Sequence, residues 1–246
     1  MNDGVKRLCM LLHGYSGVGK TPLSNTAPGP RLVIDVENAS DWLTCPVVKW
    51  NGRTPPDMLE NLTSDTSVVV NITDFLAIKN NVMPWLVSGK HPFKSVILDS
   101  MTELQEKMLK AIAGDDKRDW DAYGSLLIWC SNLLLELKDL KYHPSNPVDT
   151  VIIICGTDEN KAERVVPMLD GKIAKKITFK MDLVAYLYRD LDGAGNDIPR
   201  LRIQPTPVFD AKDRTQILAP HYGPIIDNPN ILEMMKVLNQ GPATNE

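Results

Sequence analysis

The run Gly14-Tyr15-Ser16-Gly17-Val18-Gly19-Lys20-Thr21 carries the densest chemistry in this 246-residue chain. Its spacing is G-x-x-x-x-G-K-[ST], that of a phosphate-binding loop. Its glycines let the backbone curl so that successive N–H groups converge on an anion. Lys20 adds a point charge for β- and γ-phosphates, and the Thr21 hydroxyl is a hard oxygen ligand for Mg²⁺. Binding phosphates is not hydrolysing them. Hydrolysis also needs an acid at the end of a buried strand to hold the metal, and Asp99 closes the apolar run Ser95-Val96-Ile97-Leu98. It needs a base for the attacking water as well. Asp35 and Glu37 end the run Arg31–Val36, and a spacing of two puts both on one face of a strand. Glu37 lies nearer the C-terminal end, where doubly wound sheets place ligands, so it is the expected base.

These groups need a scaffold, and the pattern supplies alternating strands and helices, which reads as a mostly parallel sheet covered on both faces. Leu8–Leu12 is the first strand. The helix after the loop is short, because Pro28 and Pro30 stop it. Arg31–Val36, Pro46–Trp50, Val68–Ile72, Ser95–Leu98 and Val151–Cys155 read as further strands. Thr73 reads as the N-cap of a helix from Asp74 to about Ser88, which Pro84 kinks or divides. A helix from about Thr102 to Ala113 ends at Gly114-Asp115-Asp116. The longest helical pattern is Trp120–Leu140; Trp120 and Tyr123 at its start are expected to pack on the core. Gly156–Gly171 is polar and reads as a long loop, and Ile173–Lys180 as a short helix. Leu183–Arg189 and Pro199–Gln204 flank the turn-rich stretch DGAGND and read as an antiparallel hairpin. Ile231–Leu238 is a closing helix. Residues 1–240 read as one domain and 241–246 as a frayed tail.

Composition narrows the setting. Net charge is −4, so nothing global draws the chain to nucleic acid, and any such contact needs a local basic patch. The cysteines at 9, 45, 130 and 155 have no metal-ligand spacing, and those inside apolar runs read as buried hydrophobes. The four histidines are scattered and form no ligand or triad pattern. The first residues lack a signal-peptide core, and no apolar run reaches the ~18 residues of a membrane span, so a cytoplasmic setting without membrane partners is expected.

The ordered set of motifs resembles RecA-type ATPases. Val33-Ile34-Asp35-Val36-Glu37 is similar to the segment that supplies their catalytic glutamate, and Ser95–Leu104 to their Walker B strand and following helix. The set is similar in particular to phage RecA-core ATPases of the Sak type. Trp120-Asp121-Ala122-Tyr123-Gly124, then Pro167–Lys172, then Asp182-Leu183-Val184 follow in the matching order, and the likeness runs from about Leu8 to Arg214.

That resemblance implies a RecA-like core with an antiparallel C-terminal hairpin. It implies an ATP- and Mg²⁺-dependent ATPase of DNA recombination and single-strand annealing that hydrolyses ATP between subunits of a ring or filament. Its implied partners are single-stranded DNA and a single-strand-binding protein or annealase. Thr157 or Asp158 would contact the attacking water or the γ-phosphate, although the glutamine or histidine often found near there is missing. Lys212 and Arg214 would reach a neighbouring subunit's nucleotide. A loop over Glu159–Lys172 would meet single-stranded DNA, with Lys172, Lys175, Lys176 and Lys180 just beyond it. On a helix 172, 176 and 180 share one face, with 175 beside them. Pro22 departs from the pattern, because it has no N–H to offer the α-phosphate. Two other readings compete: a non-hydrolysing, nucleotide-gated scaffold for an annealase or single-strand-binding protein, and a small-molecule kinase. The kinase reading lacks the clustered lid arginines that would exclude water.

Overall fold

A computed structural model describes residues 4–53, 61–113, 120–170 and 172–240. The strands are β1 (Leu8–His13), β2 (Arg31–Asp35), β3 (Val47–Trp50), β4 (Ser67–Asn71), β5 (Ser95–Asp99) and β6 (Thr150–Cys155), followed by β7 (Thr157–Glu159), β8 (Val165–Pro167), β9 (Leu183–Leu191), β10 (Asp197–Arg202), β11 (Lys212–Asp213) and β12 (Ile225–Asp227). The helices are α1 (Lys20–Ser24), α2 (Met83–Val87), α3 (Met101–Ala113), α4 (Trp120–Asp139), α5 (Ile173–Lys180), α6 (Leu218–Tyr222) and α7 (Ile231–Gln240). One sheet runs in the order β12-β10-β9-β1-β6-β5-β2-β4-β3, with β11 laid against β9. Strands from β9 through β3 along that order are parallel; β10, β11 and β12 are antiparallel to their neighbours. This is the expected α/β architecture, including the C-terminal hairpin.

The apolar strands are continuous rather than alternating because both faces are covered. In β1, Cys9 and Leu11 join the core under α3, α4 and α5, while Leu8, Met10 and Leu12 join the opposite core under α1, α6 and α7. Each of these residues is fully buried. Truncating one, for instance Leu11→Ala, costs about 2–5 kcal/mol in transfer and cavity terms.

At the N-terminal edge of the sheet the buried Lys141 ammonium pairs with Asp182. Asp182 Oδ2 also accepts the Cys9 N–H at 2.8 Å, which ties the end of α4 to the starts of β1 and β9.

Several elements depart from the sequence reading. Glu37 lies beyond the end of β2, in the turn, so it does not share a strand face with Asp35. The stretch 156–171 is not a long loop: β7 and β8 form an antiparallel pair. Its shape is set from outside, since the Val165 N–H donates to Val208 O at 2.7 Å and the Asp210 N–H to Val165 O at 2.9 Å. The helix expected from Asp74 starts two residues later, where Asp74 Oδ1 accepts the Leu76 N–H at 2.9 Å, so Asp74 and not Thr73 caps it. Its turns over Ile78–Val82 are π-helical, and Pro84 sits in the first turn of α2. The widened turns accommodate a residue that offers no N–H and crowds the preceding carbonyls. Trp120 does not pack on the core; it is 92% exposed, whereas Tyr123 lies against the core. Elements α6, β11 and β12 were not anticipated. The break expected at Gly114-Asp115-Asp116 and the tail 241–246 lie outside the described residues. No helix among the described residues is long and apolar enough to cross a membrane.

Candidate active site

β1 delivers Gly14 at the C-terminal edge of the sheet. A Cβ there would stand 2.5 Å from Leu187 O, so only glycine lets β9 pass. Gly17 and Gly19 hold φ values of +79° and +101°, the left-handed region that glycine occupies without cost. Gly19 then serves as the N-cap of α1. The glycine spacing thus has a separate backbone reason at each position. Pro22 lies exposed in the first turn of α1, where a fixed φ is tolerated.

Lys20 Nζ donates to Gly14 O at 2.8 Å and Tyr15 O at 2.9 Å. Burial lowers its pKa, against the opposing fields of Glu37 and Asp99. Asp99, at the end of β5, is 2% exposed, and its Oδ2 accepts the Thr21 hydroxyl at 2.5 Å. Burial raises its pKa to about 6, and the Thr21 hydrogen bond works against that shift. A carboxylate held so reluctantly in its charged form is a good place for a cation. Thr21 and Asp99 present two hard oxygens side by side, and Mg²⁺ keeps much of its water and takes few protein ligands. No cluster of three or more His, Cys, Asp or Glu side chains suited to a metal exists among the described residues. The donor set therefore fits Mg²⁺ shared with phosphate oxygens, not an all-protein cage.

Register brings the acids together. Asp35 pairs with Asp99 across β2 and β5. Asp35 itself is spent on structure: its buried carboxylate accepts the Ala39 N–H at 3.2 Å and the Ser40 N–H at 3.0 Å, with Asn71 Nδ2 at 3.3 Å. That clasp shapes the turn which carries Glu37. Glu37 is exposed, and its Oε1 accepts the Ser100 hydroxyl. Ser100 directly follows Asp99, through a cis peptide, so its hydroxyl ties the Glu37 carboxylate to the residue next to Asp99. Behind the turn, Lys107 Nζ donates to Val36 O at 2.6 Å.

The two γ-phosphate-reading candidates differ. Thr157 is nearly buried, and its Oγ1 lies 3.0 Å from His13 Nδ1; Asp158 is exposed, and its Oδ1 accepts the Glu159 N–H at 2.8 Å. His13 Nε2 lies 2.9 Å from Asp210 O. A carbonyl can only accept, so Nε2 carries the proton and Nδ1 accepts from Thr157. Burial lowers the His13 pKa to about 4, which keeps the ring neutral. A histidine therefore does reach this region, from β1 and not from the segment after β6. Tyr15 turns its hydroxyl to Glu159 Oε1 at 2.9 Å, which raises its pKa.

The remaining candidates lie elsewhere. Lys212 and Arg214 sit with β11 at the start of β9, at the edge opposite the phosphate loop. Lys212 Nζ donates to Thr178 O and Phe179 O, and Arg214 NH2 donates to Phe179 O at 2.6 Å. Both thus cap the C-terminal carbonyls of α5. Lys172, Lys175 and Lys176 are exposed around α5, and Lys180 is half-buried. Sequence reasoning missed Ser100, although it directly follows Asp99. It also missed His13, whose signal was a lone polar residue closing a fully apolar strand.

The profile of the AAA domain family matches residues 6–215. No curated protein matches. Many solved chains match this one. One is described as a prototypical ATPase from the type III secretion system of pathogenic bacteria. It is 14% identical, with a TM-score of 0.47, over 85% of this chain and 58% of that one. The chain thus spans less than two thirds of that ATPase.

Proposed function

The chain belongs to the AAA domain family, and from that premise we propose a Mg²⁺-dependent ATPase of phage-type DNA recombination and single-strand annealing. It works as one RecA-like domain over residues 1–240 in a homo-oligomeric ring or filament on single-stranded DNA, in the cytoplasm, beside an annealase or single-strand-binding protein. The observation that carries the hydrolytic part is the convergence of Lys20, Thr21, Asp99, Ser100 and Glu37 at one edge of the sheet.

In this reading the loop amides and Lys20 bind the β- and γ-phosphates. Thr21 and Asp99 would hold Mg²⁺, which supplies charge neutralisation on the phosphate oxygens. Glu37 Oε1, held by the Ser100 hydroxyl, orients a water and accepts its proton as that water attacks the γ-phosphorus. Lys212 and Arg214 act on a neighbour's nucleotide, exchanging the α5 carbonyls for phosphate oxygens as charge develops. The lysines around α5 hold DNA phosphates.

Phosphate release from Mg²⁺·ATP, with and without single-stranded DNA, tests this in wild type, Lys20→Ala and Glu37→Gln. The expected result is DNA-stimulated turnover that both substitutions lower by at least about a hundredfold. Tight nucleotide binding with no turnover in wild type would favour the gated scaffold, and turnover indifferent to DNA would remove the recombination role.

A further inference from the structure

The edge of the sheet opposite the phosphate loop carries an arrangement of which the proposed ATPase chemistry uses only Lys212 and Arg214. Two clefts lie there, one on either side of a shared lining residue, Arg214. One, of about 470 Å³, is lined by Lys175, Phe179, Lys212 and Arg214. The other, of about 370 Å³, is lined by Lys6, Arg7, Tyr142 and again Arg214. Arg214 joins them into one track. Phe179 stands 75% exposed at one end and Tyr142 68% exposed at the other. Each ring has a cation over it: the Arg214 guanidinium lies 5.8 Å from the Phe179 centroid and Lys141 Nζ 5.2 Å from that of Tyr142.

The charge balance of the track is one-sided. Its two lining carboxylates are already neutralised, Asp210 by Arg164 and Asp182 by the buried Lys141. Among the described residues neither Lys6 nor Lys175 has a carboxylate within salt-bridge distance. The Arg214 guanidinium has donors to spare after its bond to Phe179 O. On a chain of net charge −4 such a track is a local exception.

We infer that this track is a path for single-stranded nucleic acid, with Phe179 and Tyr142 as stacking platforms for bases and Lys175, Arg214 and Lys6 along the phosphates. Exposed aromatic faces alternating with cations suit a strand whose bases are unstacked, and a duplex offers no such faces. Arg supplies planar donors to phosphate and stacks on the ring beside it. The inference rests on the single-stranded-DNA reading above. It moves the contact from the lysines around α5 alone to a course that continues to the segment before β1.

Fluorescence anisotropy of a labelled oligothymidylate titrated with the full chain, across a salt series, tests the path. Phe179→Ala and Tyr142→Ala are each expected to weaken binding about fivefold or more and to leave the salt slope unchanged, because they remove stacking and no charge. Lys6→Glu combined with Lys175→Glu is expected to flatten the slope. Thermal melting checks that each variant is folded. Photocrosslinking of the wild-type chain to an iodouracil-substituted oligonucleotide, with peptide mapping, reads the same contacts without substitution and is expected to label Phe179 and Tyr142. Wild-type affinity in Tyr142→Ala and in Lys6→Glu, with loss only in Lys172→Glu/Lys176→Glu, would overturn the path and leave the DNA reading standing. No oligonucleotide binding by wild type would end both. Polyglutamate binding that needs Lys6, with oligothymidylate binding that does not, would overturn the path in favour of an acidic peptide.

Discussion

The two ends of the parallel sheet each hold a lysine and an aspartate, wired in opposite ways. At the N-terminal edge Lys141 and Asp182 meet each other, and the Cys9 N–H takes up part of what the carboxylate has left. At the C-terminal edge Lys20 is turned onto loop carbonyls and Asp99 onto a hydroxyl, so the two charges share a neighbourhood without pairing. The first arrangement is closed and fastens α4 to β1 and β9. The second is open: its charges are buried enough to be costly and remain available to a third party. The phosphate-loop end is built from the same ion-pair ingredients with the pair withheld.

The largest effect separates the two ends outright. Lys141→Ala is expected to cost about 3–5 kcal/mol of stability, since it strands a mostly buried carboxylate. A double variant, Lys141→Met with Asp182→Asn, should recover most of that loss, because the amide oxygen still accepts the Cys9 N–H. Urea unfolding measures both, and equal destabilisation by the two would show that the pair matters through packing alone.

Next comes Asp99→Asn, which should behave in the opposite sense. It is expected to lower turnover at least about a hundredfold. It should also stabilise the protein at pH 8 by up to about 3 kcal/mol, from a pKa raised from 3.8 to about 6. The sign follows from proton uptake. The fold binds the Asp99 proton more tightly than the unfolded chain does, so this contribution is complete below about pH 4 and is lost as pH rises through about 6. His13 and His91, both lowered from 6.5 to about 4 by burial, act the other way: their contribution is present above pH 6.5 and is lost as pH falls through about 4. In wild type the slopes oppose each other. In Asp99→Asn the unfolding free energy should climb more steeply between pH 4 and 6. A pH series of denaturant melts decides this; a parallel profile in the two proteins would mean that Asp99 ionises freely in the fold.

The smallest effect concerns the loop alone. Pro22→Thr restores an N–H at the start of α1 and is expected to tighten nucleotide binding by the order of 1 kcal/mol. Calorimetric titration of both forms measures it, and equal or weaker affinity in the variant would mean that the phosphates do not lie over that position.

What could be read in advance follows the same division. The phosphate loop was legible because its demands are local: φ values at Gly17 and Gly19, and an apolar strand before them. Asp99 was legible as the polar end of a buried run. Ser100–Glu37 and His13–Thr157 were not, because they join positions 63 and 144 residues apart. β7 and β8 were hidden because each is only three residues long, and because their placement depends on residues 208–210. The exposure of Trp120 shows that a large aromatic in a helical pattern does not reveal which way it faces. Lys212 and Arg214 carried a motif, but only the fold shows them at the far edge, capping α5.

The order of β1, β6 and β9 in the sheet bears on the chain's synthesis. β1 is made well before the strands it pairs with, β6 and β9, which begin at Thr150 and Leu183. At a typical elongation rate the ribosome needs roughly ten to thirty seconds to pass from His13 to Cys155. For that interval a strand apolar in all but its last residue waits with both edges unpaired, a target for chaperones or for a second nascent chain, and the phosphate loop attached to it waits as well.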